Sequence, residues 1–214
     1  MRLRGSGEHL EKGRYQVCRF LCQHLHHISE PLIDKEVTFD TKRPVLSVFF
    51  MVAIITFEVP DLLATDRLGR LLAEYLPDSS VVALIGTLGA GKTKLVQAIA
   101  KYTGNAEEII SSPTFVLLHE YDDGKRPIYH FDAYRLETAE EFCRLSPDDY
   151  FEGTGLTLIE WADKFPQILP ANYLEIRIEP LGETQRRFHL SGHGTEYDMV
   201  ISKIAQAIPT TINS

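Results

Sequence analysis

The chain has 214 residues, 44% of them hydrophobic and 24% charged, a composition that fits a globular protein long enough to bury a core. Three cysteines are too few for a disulfide scaffold, so we expect a cytoplasmic protein. The formal net charge of −8 is unevenly spread: 8 basic and 6 acidic residues before position 51 leave 14 basic and 24 acidic residues after it. A domain this acidic is a poor candidate for binding nucleic acid unaided.

Residues 1–50 differ in composition from the rest of the chain. They contain four of the eight histidines and show no clean helical or strand periodicity. Five of their side chains form a cluster whose spacing matches the common zinc-ligand patterns poorly; these are Cys18, Cys22, His24, His26 and His27. We interpret residues 1–50 as a poorly ordered N-terminal extension from a mis-called start, with translation beginning at or near Met51.

The next segment is apolar. The longest apolar run, residues 45–57, is shorter than the roughly 20 residues that cross a bilayer, so we expect a strand and no membrane association. We place the first strand at residues 54–59 and a helix after an N-cap at Asp61, where leucines recur at helical spacing. Residues 77–80, a proline followed by aspartate and two serines, predict a turn.

Residues 86–93 fit the phosphate-binding pattern Gly-x-x-x-x-Gly-Lys-Ser/Thr. The β-branched segment Val81–Ile85 predicts a buried strand before them, and Lys94–Ala100, free of Gly and Pro, predicts a helix after them. Glycines let backbone N–H groups surround a phosphate, and the helix N-terminus adds partial positive charge. We predict a nucleoside triphosphate here, with Lys92 reaching its β- and γ-phosphates and the Thr93 hydroxyl ligating Mg²⁺. The loop residues are Gly86, Thr87, Leu88, Gly89, Ala90, Gly91, Lys92 and Thr93.

The remaining segments predict an α/β fold. In chain order they are an extended stretch over 115–121, a turn at 122–124, a strand over 127–131, an acidic helix from 137, a buried strand over 156–159, a hairpin of 173–179 and 185–190, and a helix over 196–207. The expected fold class is a P-loop NTPase-type sheet, mostly parallel with antiparallel hairpins and flanked by helices.

Two carboxylates follow directly after predicted apolar strands. They are Asp132, after residues 128–131, and Glu160, after residues 156–159. Ligands gather at the carboxyl ends of strands in open α/β sheets, so both acids are placed for the metal and the γ-phosphate. Thr114, in a segment that follows a proline, is a candidate for sensing the γ-phosphate.

Five motifs, in this order and spacing, resemble those of the bacterial TsaE (YjeE) family. They are residues 86–93, Ser112–Phe115, His130–Leu136, Asp149–Phe151 and Ile159–Trp161. The resemblance covers about residues 54–207 and implies an ATPase of tRNA threonylcarbamoyladenosine biosynthesis, with a P-loop ATPase domain over residues 51–214. It also implies two partner proteins, TsaD and TsaB, and a modification at adenosine 37. The tRNA would be held by the partner complex, and ATP hydrolysis would reset that complex between turnovers.

The resemblance also implies roles for single residues. Thr93 and Glu160 resemble Mg²⁺ ligands, Asp132 an essential acid, Thr114 a switch threonine and Trp161 the tryptophan beside the site. The residues themselves do not decide between ATP and GTP, nor whether Asp132 or Glu160 orients water.

Two positions depart from the family pattern. Thr87 stands where the family usually has an acid. Lys94 stands where the family usually has a second threonine, and we include Lys94 among the nucleotide-binding residues. We expect weak hydrolysis of ATP without partners.

Two alternative functions remain open. One is a small-molecule kinase, although the segment 137–153, which is acidic and has only Arg144 as a basic residue, would make a poor lid over a transferring phosphate. The other is a nucleotide-gated binding module without useful turnover.

Overall fold

The computed structural model describes residues 54–106 and 110–208. Its elements in chain order are β1 (Ile54–Val59), α1 (Leu62–Tyr75), β2 (Val81–Ile85), α2 (Lys92–Thr103), β3 (Leu118–Tyr121), β4 (Ile128–Asp132), α3 (Ala139–Cys143), α4 (Pro147–Phe151), β5 (Leu156–Glu160), β6 (Tyr173–Pro180), β7 (Arg186–His193) and α5 (Thr195–Ala207). The expected extension over residues 1–50 lies outside these ranges, so the division of the chain at Met51 stays a prediction.

The seven strands form one mixed sheet in the order β1-β7-β6-β2-β5-β4-β3. The four central strands β6, β2, β5 and β4 run parallel, while β1 and β7, β7 and β6, and β4 and β3 pair antiparallel. All five residues of β2 and of β5 are buried, as expected for parallel strands covered on both faces. The predicted fold class is therefore confirmed.

Helices cover both faces of the sheet. On one face α1 and α2 pack closely against each other, and a Cβ atom at Gly69 would lie only 2.4 Å from the Cβ of Ala98. On the other face Phe131 of β4 packs edge-on against Phe142 of α3 and Tyr150 of α4, with ring centroids 5.6 and 5.3 Å apart. Side chains alternate along a strand, so the neighbours of Phe131 in β4 point back toward α2.

The α1 helix begins where the sequence predicts. Asp61 has an extended backbone and its carboxylate accepts a hydrogen bond from the Ala64 N–H at 2.8 Å, which satisfies one of the free donors of the first turn. In the part of the chain that the structure describes, no helix combines the length and the apolar character needed to cross a membrane.

Two sequence-based predictions of secondary structure need correction. Residues 115–117 are not extended: they belong to a turn in which the Leu117 N–H donates to the Pro113 carbonyl at 2.6 Å, and β3 begins only at Leu118. Leu117 has a φ of +71°, a left-handed conformation that apolar periodicity cannot reveal. The five-residue helix α4 was not predicted, because it is too short for a periodic pattern and begins at a proline.

Candidate functional site

The loop between β2 and α2 has the backbone of an anion site. Three glycines in it have φ values of +153°, +77° and +110°, which favour residues without a side chain; they are Gly86, Gly89 and Gly91. A Cβ atom at Gly86 would lie 2.6 Å from the Ile178 carbonyl oxygen, so the loop begins directly against β6. α2 starts at Lys92 without a side-chain cap, which leaves its first N–H groups for a ligand.

Lys92 folds back over this loop. Its side chain is buried, and Nζ donates to the carbonyl oxygens of Gly86 at 2.7 Å and Thr87 at 3.1 Å. The same Nζ lies 3.8 Å from the centroid of the Trp161 ring, a cation–π distance. Carbonyls and a ring face orient the ammonium without forming a direct ion pair, so its positive charge can face a phosphate that reaches the loop.

Burial lowers the pKa of Lys92 below its ordinary value, and three nearby carboxylates oppose that change. They are, from the strongest to the weakest, Glu160, Asp132 and Asp163. An anion bound at the loop would act in the same direction as these carboxylates and favour the charged lysine.

The two carboxylates meet at the carboxyl end of the sheet, as the sequence predicts. Asp132 and Glu160 are the last residues of β4 and β5, stand opposite each other in the parallel register, and are 2% and 3% exposed. The Ala133 N–H donates to the Glu160 backbone carbonyl at 3.0 Å, which holds the two strand ends together. Two acids this close and this buried must share their environment with cations or hydrogen-bond donors.

Glu160, Thr93 and His130 form what we call the Glu160 cluster. The Thr93 hydroxyl donates to Glu160 Oε1 at 2.7 Å, and His130 Nε2 lies 2.9 Å from the same oxygen. A carboxylate only accepts, so Nε2 carries the proton, and Nδ1 of the fully buried ring has no hydrogen-bond partner among the described residues. All three side chains belong to a regular strand or helix.

Asp132, Ser112 and Thr114 form what we call the Asp132 cluster. The hydroxyls of Ser112 and Thr114 each donate to Asp132 Oδ2 at 2.6 Å, and the Tyr134 N–H donates to Oδ1 at 2.9 Å. The two hydroxyls lie 2.7 Å from each other and sit in the segment that precedes β3, outside any strand. Thr114 therefore touches a carboxylate at the site, although its segment is a turn and not extended.

Trp161 closes one side of the site. Its φ is +60°, a left-handed conformation that is rare for a large side chain, and it begins a short 3₁₀ turn over Ala162–Lys164. Its ring lies 5.0 Å from that of Tyr134, centroid to centroid, and beneath the Lys92 ammonium. The backbone conformation thus turns the indole toward the loop.

These groups line a cleft of about 360 Å³, within the range of small-molecule sites. Its lining residues are Leu88, Gly89, Gly91, Lys92, Thr93, Lys94, Ser112, Thr114, Asp132, Tyr134, Glu160 and Trp161. Most of the predicted site residues are therefore together. Gly86, Thr87 and Ala90 shape the loop without lining the cleft, and Ala90 is fully buried.

Three residues of the site were not predicted from the sequence: Ser112, His130 and Tyr134. A signal for His130 exists, because it lies two residues before Asp132 and the period of a strand puts both on one face. Ser112 and Tyr134 lie in two of the motifs that resemble the family, but no role at the site was predicted for them.

The donor set fits Mg²⁺. The Thr93 hydroxyl and the carboxylates of Glu160 and Asp132 offer hard oxygen ligands, and Mg²⁺ is usually held by one or two carboxylates together with substrate phosphates. Within residues 54–106 and 110–208 no group of three or more His, Cys, Asp or Glu side chains is arranged to hold a metal ion.

Comparison with known proteins gives consistent matches. The family model described as threonylcarbamoyl adenosine biosynthesis protein TsaE matches residues 59–188. The tRNA threonylcarbamoyladenosine biosynthesis protein TsaE of Synechocystis is 46% identical over 117 residues, which are 52% of this chain and 73% of that protein. The protein of the same name from Bacillus subtilis is 36% identical over 142 residues, which are 66% and 88% of the two chains.

A solved structure has a similar fold. The crystal structure of Bacillus subtilis YdiB superposes with a TM-score of 0.62 at 30% sequence identity and covers 73% of this chain and 97% of that one. The match therefore extends over nearly the whole of the neighbour's fold.

Proposed function

The chain belongs to the TsaE family of threonylcarbamoyl adenosine biosynthesis proteins, and from that premise we propose that it is the ATP-binding and ATP-hydrolysing component of the machinery that makes N6-threonylcarbamoyladenosine at position 37 of tRNA. It acts in the cytoplasm on a partner complex of TsaD and TsaB. One observation carries the ATPase part of the proposal: Lys92, Thr93 and two buried carboxylates converge on the phosphate-binding loop.

Each group of the site has a role in binding or hydrolysing a triphosphate. Lys92 and the free N–H groups at the start of α2 neutralise and orient the phosphate oxygens. Thr93, Glu160 and Asp132 would hold Mg²⁺, which supplies charge neutralisation on the phosphates when bound. A carboxylate of this pair also orients the attacking water, and Asp132 is the better candidate because its hydroxyl partners lie on a segment without regular structure.

The structure favours an ATPase over a small-molecule kinase. Kinases commonly place arginines over the transferring phosphate, and none of the residues that line the described cleft is an arginine. Arg144 is exposed at the end of α3 and does not line the cleft. The second alternative, a binding module without turnover, differs from the proposal only in the fate of ATP.

Dependence on a partner has its own support. Large apolar side chains are exposed beside the cleft: Leu88 is 78% exposed in the phosphate-binding loop and Phe115 is 84% exposed next to Thr114. We take these two side chains as part of an apolar contact surface for another protein. The net charge of −10 over residues 51–214 agrees with a tRNA that is held by the partner complex.

The test is phosphate release from Mg-ATP by the full chain, alone and with purified TsaD and TsaB. We expect slow release alone, strong stimulation by the partners, and no release from Lys92→Ala. The matched control is Lys101→Ala, which removes the same charge from the far end of α2. A phosphorylated metabolite in place of free phosphate would establish a kinase, and bound ATP that stays intact with both partners would establish a binding module.

A further inference from the structure

Arg186, the first residue of β7, contacts the phosphate-binding loop from outside the cleft. Its Nε donates to the Ala90 carbonyl at 2.9 Å, and one terminal nitrogen lies 3.5 Å from the Gly89 carbonyl. The other terminal nitrogen donates to three carbonyls of the β6–β7 turn, those of Gly182, Glu183 and Gln185, at 2.9 to 3.2 Å. One guanidinium thus ties the loop to the turn of a hairpin.

The contact with Ala90 fixes the direction of one N–H group. The peptide bond between Ala90 and Gly91 is trans, so the Gly91 N–H points opposite to the Ala90 carbonyl. That carbonyl is directed at Arg186, outside the cleft, and Gly91 itself lines the cleft. Among the described residues the Gly91 N–H has no acceptor, whereas the preceding N–H, that of Ala90, donates to the Thr87 carbonyl at 3.1 Å.

The support behind Arg186 is rigid. Its strand pairs with β1 on one side and β6 on the other, with the register Val59–Arg186 and Pro180–Arg186. The turn is also tied to the end of β1, because the Thr184 hydroxyl donates to the Pro60 carbonyl at 3.0 Å. A glycine-rich loop has many accessible backbone conformations, and an anchor of this kind selects one of them before a ligand arrives.

We propose that Arg186 is a positioning residue for the phosphate-binding loop. Its guanidinium holds the Gly89 and Ala90 carbonyls outward, so that the Gly91 N–H is aimed at the bound phosphate. The proposal rests on the proposed function, since the phosphate is taken to be that of a nucleotide. Arg186 touches the loop and not the substrate, so its effect is on binding geometry. A lysine cannot replace it, because one ammonium lacks the planar fork that reaches both the loop and the turn.

The experiment compares the full-length wild type with Arg186→Gln, Arg186→Lys and the control Arg187→Gln. Arg187 is the next residue, and its side chain pairs with Glu58 and Glu179 instead of the loop, so the control removes the same charge. Calorimetry gives the affinity for ADP without Mg²⁺, which takes the metal out of the comparison. Amide hydrogen exchange at Ala90 and Leu95, whose N–H groups donate to Thr87 and Gly91 carbonyls, reports the order of the loop without any ligand.

We expect Arg186→Gln and Arg186→Lys both to weaken ADP binding by about tenfold and to speed exchange at the two amides, and Arg187→Gln to change affinity by less than about twofold. Wild-type affinity and exchange in Arg186→Lys would overturn the proposal, because charge alone would then suffice. Unchanged exchange in Arg186→Gln would overturn it as well. A wild type that binds no nucleotide would refute the proposed function, and the exchange measurement would still decide whether Arg186 orders the loop.

Discussion

The carboxylates of the Glu160 cluster and the Asp132 cluster have equivalent positions in the fold but different hydrogen-bond partners. Both carboxylates end neighbouring parallel strands and are almost equally buried. Glu160 is held by Thr93 and His130, which belong to a helix and a central strand, whereas Asp132 is held by hydroxyls from a segment without regular structure. From this difference we expect the first acid to keep its partners and the second to exchange them when a nucleotide enters.

The sharpest test of this comparison removes each carboxylate in turn. We expect Glu160→Ala and Asp132→Ala both to lower partner-stimulated phosphate release by about 100-fold or more. Urea unfolding should separate them: Glu160→Ala leaves His130 buried without a partner and should lose about 2 kcal/mol of stability, and Asp132→Ala should lose clearly less. Equal losses of stability would contradict the distinction between fixed and exchangeable partners.

Substitutions of His130 test the Glu160 cluster, whose partners we expect to stay fixed. His130→Phe keeps an aromatic ring in the core but removes the donor to Glu160 Oε1, and we expect a loss of about 1–2 kcal/mol in urea unfolding together with weaker Mg²⁺-dependent nucleotide binding. His130→Gln supplies an amide donor in place of the ring and should recover part of the binding. If phenylalanine left the Mg²⁺ dependence of binding unchanged, His130 would be only a core residue.

Substitutions of Thr114 test the Asp132 cluster, whose partners we expect to exchange. Thr114→Val keeps the shape of the side chain and removes the hydroxyl that donates to Asp132 Oδ2, so we expect about a tenfold loss of phosphate release with a change in stability below about 1 kcal/mol. Thr114→Ser is the matched control and should retain most of the activity. A larger effect on unfolding than on turnover would assign Thr114 to structure.

The pKa of Lys92 responds to the charges of Glu160 and Asp132, so it can be used to compare the two carboxylates. Because burial lowers it below the ordinary 10.5, the ammonium of the folded protein loses its proton at a lower pH than that of the unfolded chain. Stability therefore gains as pH rises from the lowered pKa toward 10.5. Glu160 opposes the lowering more than Asp132, so Glu160→Gln should lower the pKa of Lys92 further than Asp132→Asn in an NMR titration. The reverse order would mean that Asp132 is the closer charge in solution.

The smallest effect belongs to a residue outside both clusters. Asp61→Ala removes the N-cap of α1 and should cost about 1 kcal/mol of stability without changing ADP affinity or phosphate release. Asp61→Ser keeps a capping oxygen and should be close to wild type. This pair calibrates the unfolding measurements, since a change in turnover here would show that stability alone alters activity.

The sequence was informative where local pattern and site coincide. A strand, glycines and a helix in immediate succession predict the loop over residues 86–93, and the rule that ligands gather at strand ends predicts that Asp132 and Glu160 meet. Those predictions need only the order of elements along the chain.

The rest depends on tertiary structure. His130 looks like a core residue until β5 is known to lie beside β4, and Arg186 looks like a surface charge until β7 is known to bring it beside the loop. The turn over residues 115–117 depends on a left-handed leucine, for which the sequence has no signal. Pairing of distant strands and rare backbone conformations are thus what sequence patterns miss.

The close contact between Gly69 and Ala98 has a consequence for inheritance of function. Ala98 lies six residues after Lys92 on α2, about 9 Å along the helix axis. With only 2.4 Å available, a side chain at position 69 would force α1 and α2 apart, and we expect the displacement of α2 to reach its phosphate-binding end. A mutant allele at this buried glycine, which does not line the cleft, would therefore behave genetically like a lesion of the phosphate-binding loop.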